Sequence, residues 1–459
     1  MNRCTRARSR VSAWLGRKYL ARISRKGLGR AELALLPDEL LSLLRRDGLE
    51  PVDGLTRMHA ASPVTRVQLP FGLEAWAVTG YEEVKQVLGD RDRFSNDFRN
   101  LVDTTGVGSG QQPGGLGFAD PPVHTRLRRI LAPEFTMRRL AGLAPRISAI
   151  VDAQLDAMAA AKGPVDLVAA FALPIPSLTI CELLGVPYED RHEFQELSAA
   201  RFDLLGGATA SFGALSESLA YMARIVRKQR AQPGNGLLGM IIREHGDIVD
   251  DQELAGLADG VLTGGLETSA SMLALGALAL LDDPASAERL RRDDAAVDPF
   301  VEEQLRRLTV VQMAFPRFAR EDVVIGDHRI AKGAMVLCSL LAANRDHPSH
   351  RQDPALPAES RRPMAPHLAF GYGMHRCVGA ELARLELRTA FPALVRRFPR
   401  LRLAVDPSDL SFRPLSIVYG LDKLPVLTGT PAAHPTAYRP VRRGRIGVGV
   451  PGAGGACPV

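Results

Sequence analysis

The sequence predicts a mainly α-helical protein with small β-sheets, an α+β fold in one large domain. Apolar residues recur at helical spacing through most of the chain after residue 120. The longest such pattern runs from Asp251 to about Asp282 and predicts a helix of about 50 Å. Short alternating stretches occur toward the two ends of the chain and indicate a small sheet assembled from both.

The remaining elements follow from local signals. Residues 60–80 alternate as a β-hairpin, and a helix begins at Tyr81. A glycine-rich stretch over 107–117 predicts a loop, and Asp120 as N-cap with Pro121 at the first helical position predicts the next helix. Further helices are expected over 139–160, 177–184, 188–205, 211–231, 298–308 and 378–398, with short strands in 322–340 and a long loop to 370.

The formal net charge of +7 is concentrated at the two ends of the chain. Residues 1–30 hold ten Lys or Arg and residues 431–459 hold four Arg, neither with an acid, so 44 basic and 51 acidic side chains remain. That distribution argues against nucleic-acid binding. We predict a basic extension over 1–34, a single catalytic domain over 35–430 and a disordered Pro/Gly/Ala-rich tail over 431–459.

The basic extension also has the spacing of an amphipathic helix, with Trp14 and Leu15 on its apolar face. Peripheral contact with a membrane surface is one interpretation, and packing on the body or disorder is the preferred one. No apolar stretch reaches the ~18 residues of a transmembrane helix, and the N-terminus lacks a secretory apolar run. The sequence therefore predicts a cytoplasmic protein without a transmembrane segment.

Five cysteines are scattered without CxxC spacing, which excludes a disulfide framework and a zinc site. Cys181 and Cys338 lie in apolar runs, and Cys4 and Cys457 lie near the ends. Cys377 lies in the sequence F-G-Y-G-M-H-R-C-V-G. Its glycines allow a tight turn, and the predicted helix start behind the cysteine favours a thiolate.

The segment Phe370–Gly379 resembles the haem-binding loop of the cytochrome P-450 family, F-G-x-G-x-H-x-C-x-G. The resemblance, which extends over roughly 35–430, implies the triangular-prism fold of that family and one haem b. It implies that Cys377 is the thiolate ligand of the iron and that Phe370 and Gly371 contact the cofactor. A thiolate axial ligand favours cleavage of the O–O bond.

A second resemblance concerns cations for the two haem propionates. The segment DPPVHTRLRR supplies His124 and Arg128, four residues apart, and resembles the family helix that binds these carboxylates. Arg317 and His375 match two further family contacts. A solvated face is the alternative interpretation of each residue alone, whereas together they fit one dianionic ligand.

Two more motifs match by position. The sequence G-G-L-E-T-S, beginning at Gly264, resembles the family's oxygen-binding kink, although its first Ala and last Thr are Gly and Ser here. The resemblance implies that Thr268 hydrogen-bonds dioxygen and that Glu267 helps to deliver protons; a small-residue packing seam is the alternative. Glu303 and Arg306 form E-x-x-R, which resembles the family's structural ion pair.

The sequence encodes no flavin or nicotinamide domain, so we expect electrons from a separate ferredoxin or flavodoxin with its reductase. Candidate docking residues for that acidic partner are Arg126, Arg129, Arg376, Arg384 and Arg388. A mostly apolar pocket is expected from residues 99–118, 200–215, 262–266, 310–315 and 417–418. It would suit a lipid, steroid, terpenoid or macrolide-like substrate in a monomeric enzyme.

The leading hypothesis is a monooxygenase that inserts one atom of O2 into an apolar small molecule. A peroxide-driven or oxidative-coupling P-450 is a second hypothesis, against which the Glu267–Thr268 pair argues. A non-catalytic haem binder or gas sensor is a third, although a histidine-ligated sensor does not need this cysteine loop.

Overall fold

The computed structural model describes residues 36–69, 73–97, 99–100, 115–186, 207–346 and 366–431. The basic extension, the helix expected at 188–205 and nearly all of the tail lie outside the described residues. In the described part the chain is mainly helical and carries small sheets, as expected.

Thirteen α-helices occur in the described ranges. They are α1 Asp38–Ser42, α2 Asp53–Ala61, α3 Tyr81–Gly89, α4 Val123–Leu131, α5 Met137–Ala160, α6 Pro174–Leu184, α7 Gly207–Ala231, α8 Leu237–His245, α9 Asp251–Asp282, α10 Pro284–Arg292, α11 Val297–Leu308, α12 Leu340–Asp346 and α13 Ala380–Arg397.

The described strands are short and form four sheets. They are β1 Arg46–Asp47, β2 Glu50–Pro51, β3 Val64–Leu69, β4 Leu73–Val78, β5 Phe94–Ser95, β6 Val165–Asp166, β7 Arg317–Ala319, β8 Val323–Ile325, β9 His328–Ile330, β10 Met335–Cys338, β11 Arg402–Leu403 and β12 Pro425–Leu427. The largest sheet has the order β3-β4-β10-β7-β5, with β10 parallel to β4 and the other pairs antiparallel. It therefore joins early and late segments of the chain, as predicted.

Two local predictions were wrong. The helix expected from Asp120 begins at Val123 instead, and the Pro121–Pro122 peptide before it is cis. Asp120 does not cap α4 with its side chain, because its carboxylate accepts hydrogen bonds from the Ser95 hydroxyl and the Asn96 N–H. Helix α12 lies within the predicted long loop, where a seven-residue apolar turn is too short to show a clear helical period.

Helix α9 forms the centre of the largest apolar core. It is buried on nearly all sides and packs on α6, α7 and α13. Among the described helices it alone is long and apolar enough to cross a membrane, but 78% of its most apolar window is buried inside the protein. This length and apolarity are those of a helix that crosses a protein core from one side to the other.

The contact between α9 and α13 depends on a glycine. A Cβ atom on Gly276 would overlap the Phe391 ring, which is fully buried. We predict that Gly276→Ala destabilises the fold by about 1–3 kcal/mol, because the close packing cannot admit a methyl group. Urea denaturation measures the change in the free energy of unfolding.

Gly260, on the same helix, provides the matched control. It is exposed and a Cβ atom there would meet nothing within 4 Å. Gly260→Ala is expected to stabilise the protein by roughly 0.5–1 kcal/mol through helix propensity alone. Equal effects of the two substitutions would contradict the proposed close packing at Gly276.

Candidate functional site

The loop that carries Cys377 is closed by backbone hydrogen bonds. The Cys377 N–H donates to the Phe370 carbonyl at 2.9 Å, and the Gly371 N–H donates to the Leu368 carbonyl at 2.8 Å. Gly371 and Gly373 have φ values of +69° and +70°, which side chains rarely adopt. The tight turn predicted from the two glycines is therefore present.

A second constraint acts at Gly373. A Cβ atom there would collide with the Leu88 carbonyl at the end of α3. The loop is thus pressed against α3 as well as turned sharply. Helix α13 begins three residues after Cys377, with Gly379 as its N-cap residue.

Cys377 lines a concave surface. Its residue is exposed, yet protein groups surround it closely enough for burial to raise the pKa of its thiol. The Gly379 N–H and the charges of Arg128, Arg376 and Arg384 oppose that rise without cancelling it. The helix start and nearby cations expected from the sequence are present, but a thiolate here needs a further cation, such as a bound metal ion.

Four cationic or imidazole side chains gather beside this cysteine. His124 and His375 have ring centroids 4.4 Å apart. Burial, followed by the charges of Arg317, His124 and Arg128, lowers the pKa of His375 to about 3. The other three residues predicted to bind propionates therefore all act electrostatically on His375.

No described carboxylate forms an ion pair with this cluster, although the charge of Asp120 acts on His124 and Arg317. His124 is 2% exposed, and neither of its ring nitrogens has a hydrogen-bond partner among the described residues. Arg317 is 5% exposed and donates to the neutral Asn96 side chain and, at 2.8 Å, to the Phe315 carbonyl. Buried donors without partners are costly, so the cluster fits a ligand that brings carboxylates. The residues present therefore fit a haem, with propionates at this cluster and iron at Cys377.

The predicted oxygen-binding motif lies along α9. Gly264 is exposed and a Cβ atom on it would meet nothing within 4 Å, so the helix surface opens at this point. The Thr268 hydroxyl donates to the Gly264 carbonyl at 2.5 Å. Helix α9 continues unbroken through the motif, so the opening reflects the absence of a side chain at Gly264 rather than an interruption of the helix.

Glu267 is almost completely buried beside this opening. One of its carboxylate oxygens accepts a hydrogen bond from Arg413 at 2.6 Å, and the other is buried and has no partner in the ranges that the structure describes. Arg413 is also 3.7 Å from the exposed Asp422. Sequence reasoning missed Arg413, because its partner is 146 residues away and no local signal marks it.

Another acid contacts the motif from α13. The Ser269 hydroxyl donates to Glu386 at 2.6 Å. Burial raises the pKa of the Glu386 carboxyl to about 7, and the bond from Ser269 only partly opposes it. The sequence showed Ser269 as a departure from the motif, but nothing marked the acid that it contacts.

The Glu303–Arg306 pair forms as predicted, at 2.6 Å. Arg306 also donates to the Asn344 carbonyl at 2.9 Å, and the Asn344 side chain accepts from the Leu368 N–H at 2.6 Å. The ion pair is thereby connected to the start of the cysteine loop.

Two of the five candidate docking arginines already have anionic partners inside the protein. Arg384 is bonded to Glu302 and Glu381, and Arg388 lies 2.8 Å from Asp298, all within the protein. Among the other candidates Arg126 pairs with Glu253, whereas Arg129 and Arg376 are exposed. Sequence spacing placed these arginines near the cysteine but could not show which of them already have anionic partners.

Two of the ranges expected to line the pocket lie largely outside the described residues, namely most of 99–118 and all side chains of 200–215. Phe118 and Phe315 lie with ring centroids 4.5 Å apart, and Phe315 is 40% exposed. Leu262, Leu266 and Val418 are fully buried in the core and do not line an open pocket. Phe315 is therefore an exposed aromatic residue that packs on the half-buried Phe118.

Comparison with known proteins indicates the same family as the sequence of the cysteine loop. A sequence model described as cytochrome P450 matches residues 227–409. Cytochrome P450 FAS1 of Rhodococcoides fascians is 42% identical, with the alignment covering 83% of this chain and 96% of that protein. Cytochrome P450 monooxygenase PikC of Streptomyces venezuelae is 40% identical, with 82% and 91% covered. The crystal structure of CYP105P1 in complex with filipin I has a TM-score of 0.77 at 41% identity, with 84% and 97% covered.

The fold, the cysteine loop and the similar proteins all indicate a haem–thiolate class of protein. The chain belongs to the cytochrome P450 family. It is an oxidoreductase of the P450 monooxygenase type, whose family implies a haem–thiolate cofactor, O2, a redox partner and an organic substrate.

The buried Glu386 predicts a pH-dependent stability. Its pKa of about 7 lies above the ordinary 4.5, so its proton is bound more tightly in the folded state. That stabilisation is complete below about pH 4.5 and is lost as the pH rises through 7. Glu386→Gln should therefore retain about 1–3 kcal/mol more of its stability than the parent between pH 5 and 8, measured by urea denaturation.

Ser269→Ala is the companion variant. It removes the hydroxyl that lowers the pKa of Glu386, so its stability should fall more steeply with pH than that of the parent. Identical pH slopes in the parent and in Glu386→Gln would show that this carboxyl does not change its protonation on unfolding.

Proposed function

We propose that Cys377 is the thiolate axial ligand of a haem b, and that the enzyme inserts one atom of O2 into an apolar small organic molecule. The observation that carries this proposal is the juxtaposition of Cys377 with a cationic cluster in which the buried His124 has no hydrogen-bond partner within the described part of the chain. A dianionic planar cofactor with a metal centre supplies both the anions and the cation that this arrangement needs.

The loop and cluster would hold the cofactor in a single orientation. Propionate carboxylates would accept hydrogen bonds from His124, Arg128, Arg317 and His375. Phe370 and Gly371 would contact the ring from the loop that carries the ligand. When bound, the haem supplies the reductive activation of O2.

Thr268 and Glu267 would manage protons in the opening beside Gly264. The Thr268 hydroxyl, which donates to the Gly264 carbonyl, is partly exposed and available to an oxygen atom or a water in the opening. The unpaired oxygen of Glu267 can accept a proton from a water and return it, while Arg413 holds the other oxygen.

The Phe118–Phe315 pair, in which Phe315 is exposed, supports an apolar substrate, such as a lipid, steroid, terpenoid or macrolide-like molecule. A solved relative, CYP105P1, was crystallised with filipin I, which supports a large organic ligand. Electrons would come from a ferredoxin or flavodoxin with its reductase, docking near the exposed Arg129 and Arg376. We propose that this enzyme is a monomer and that it acts in the cytoplasm together with such a reductase.

Replacing the proposed ligand tests the proposal directly. We predict that Cys377→Ala abolishes the red-shifted Soret band of the reduced carbon monoxide complex, because the variant has no sulfur for the iron. Reductase-supported product formation should fall to background. The matched control is Cys181→Ala, a buried cysteine of α6, which should keep both the band and turnover.

A thiolate-type band in Cys377→Ala would end the assignment of the ligand. A normal spectrum in the parent without any product from a panel of apolar substrates, despite a surrogate ferredoxin and reductase, would favour the haem binder or sensor.

Thr268→Ala tests the proton-handling role. We expect reductant consumption to continue while product formed per electron pair falls by about tenfold, because the hydroxyl is needed only for productive proton delivery. Ser271→Ala, which removes a buried hydroxyl without a partner from the same helix, should leave coupling unchanged. Unchanged coupling in Thr268→Ala would remove the role assigned to this residue.

A further inference from the structure

Consecutive glutamates on α11 hold the cysteine loop by two separate routes. Glu303 acts through Arg306 and Asn344, which binds the Leu368 N–H. Glu302 is more deeply buried, and its route ends closer to the cysteine. The route from Glu303 ends at the backbone of the loop, whereas the route from Glu302 places charged side chains against the loop.

Glu302 accepts three hydrogen bonds. Arg384 donates from Nε at 2.6 Å and from Nη2 at 2.8 Å, and His367 donates from Nε2 at 3.1 Å. His367 Nδ1 accepts the Ala369 N–H at 3.2 Å, which leaves Nε2 as the nitrogen that donates to Glu302. Arg384 is the guanidinium that binds Glu302 directly.

This carboxylate stays ionised. Burial alone would raise the pKa of Glu302, but the bonds from Arg384 and His367 outweigh burial and lower it to about 2. Arg388 adds a second cation, with Nη2 at 3.6 Å. The negative charge of Glu302 is therefore a fixed feature of the site at all ordinary pH values.

Arg384 connects that charge to the ligand loop. Its guanidinium carbon lies 4.6 Å from the centroid of the Phe370 ring, a cation–π contact. The carbonyl of the same Phe370 accepts the Cys377 N–H. Arg384 also acts electrostatically on the Cys377 sulfur. Position and charge are thus transmitted from Glu302 to the loop through one side chain.

We propose that Glu302 is a positioning residue that sets the electronic state of the metal site: it holds Arg384 against Phe370 and offsets the positive charge felt at Cys377. Without this carboxylate the thiolate is over-stabilised by uncompensated cations and donates less charge to its iron. The inference rests on the ligation by Cys377 proposed above.

Glu302→Gln in the haem-loaded full chain is the test. The amide keeps the shape of the side chain but removes its charge. We expect the ferric–ferrous equilibrium to move toward the ferrous state by roughly threefold to tenfold, because a compensating negative charge near the iron is lost. Reductive titration of the substrate-free protein measures this as a positive shift of the reduction potential. Haem content and the carbon monoxide spectrum are recorded on the same samples.

Two variants control for general charge effects and for misfolding. Glu381→Gln removes an anion from the same guanidinium, with Arg384 Nη1 at 3.0 Å, but at a 38% exposed position, so its shift should stay below about twofold. Arg388→Gln removes the second cation beside Glu302 and should shift the ferric–ferrous equilibrium toward the ferric state. If Glu302→Gln does not accumulate with haem, the sign of the Arg388→Gln shift decides.

An unchanged potential in haem-replete Glu302→Gln would overturn the inference. So would a shift in Glu381→Gln as large as that in Glu302→Gln, or an Arg388→Gln shift toward the ferrous state. A histidine-type carbon monoxide spectrum in the parent would instead overturn ligation by Cys377, so the two failures are distinguishable.

Discussion

The hydrogen bond from the Cys377 N–H to the Phe370 carbonyl closes the turn on which the rest of the site depends. It fixes the direction of the sulfur only if Gly371 and Gly373 adopt left-handed conformations. The close approach of Gly373 to the Leu88 carbonyl then ties this turn to α3. The position of Cys377 is therefore determined by backbone contacts, which side-chain motion cannot easily change.

Two buried carboxyl groups lie at the opening in α9. Glu267 and Glu386 are buried beside the same turn of α9, one held by Arg413 and one by the Ser269 hydroxyl. Burying a carboxyl is costly unless it is paired or protonated, and the two acids illustrate both solutions. The interior thus holds Glu267, which is paired, and Glu386, whose pKa is about 7, beside the same turn of α9.

Features governed by local chemistry were predictable from the sequence. The periodicity of α9, the β3–β4 hairpin and the glycine turn before Cys377 each depend on residues close in the chain. The partners of the buried acids were not predictable, since Arg413 is 146 residues from Glu267 and Arg384 is 82 residues from Glu302. For the same reason Arg384 resembled a surface arginine in the sequence. Charge alone does not reveal whether folding supplies a counter-ion.

Asp120 has a consequence for how such a protein can diversify. Its carboxylate binds the Ser95 hydroxyl, the Asn96 N–H and Arg320, while the Asn96 side chain donates to the Gly117 carbonyl. Both ends of the segment between residues 97 and 117 are thereby fastened to the same sheet edge. Insertions, deletions or exchanges in that segment leave its anchors, and the α4 cations behind them, in register. The sequence of that segment can therefore vary between related proteins while the residues that anchor its two ends are kept.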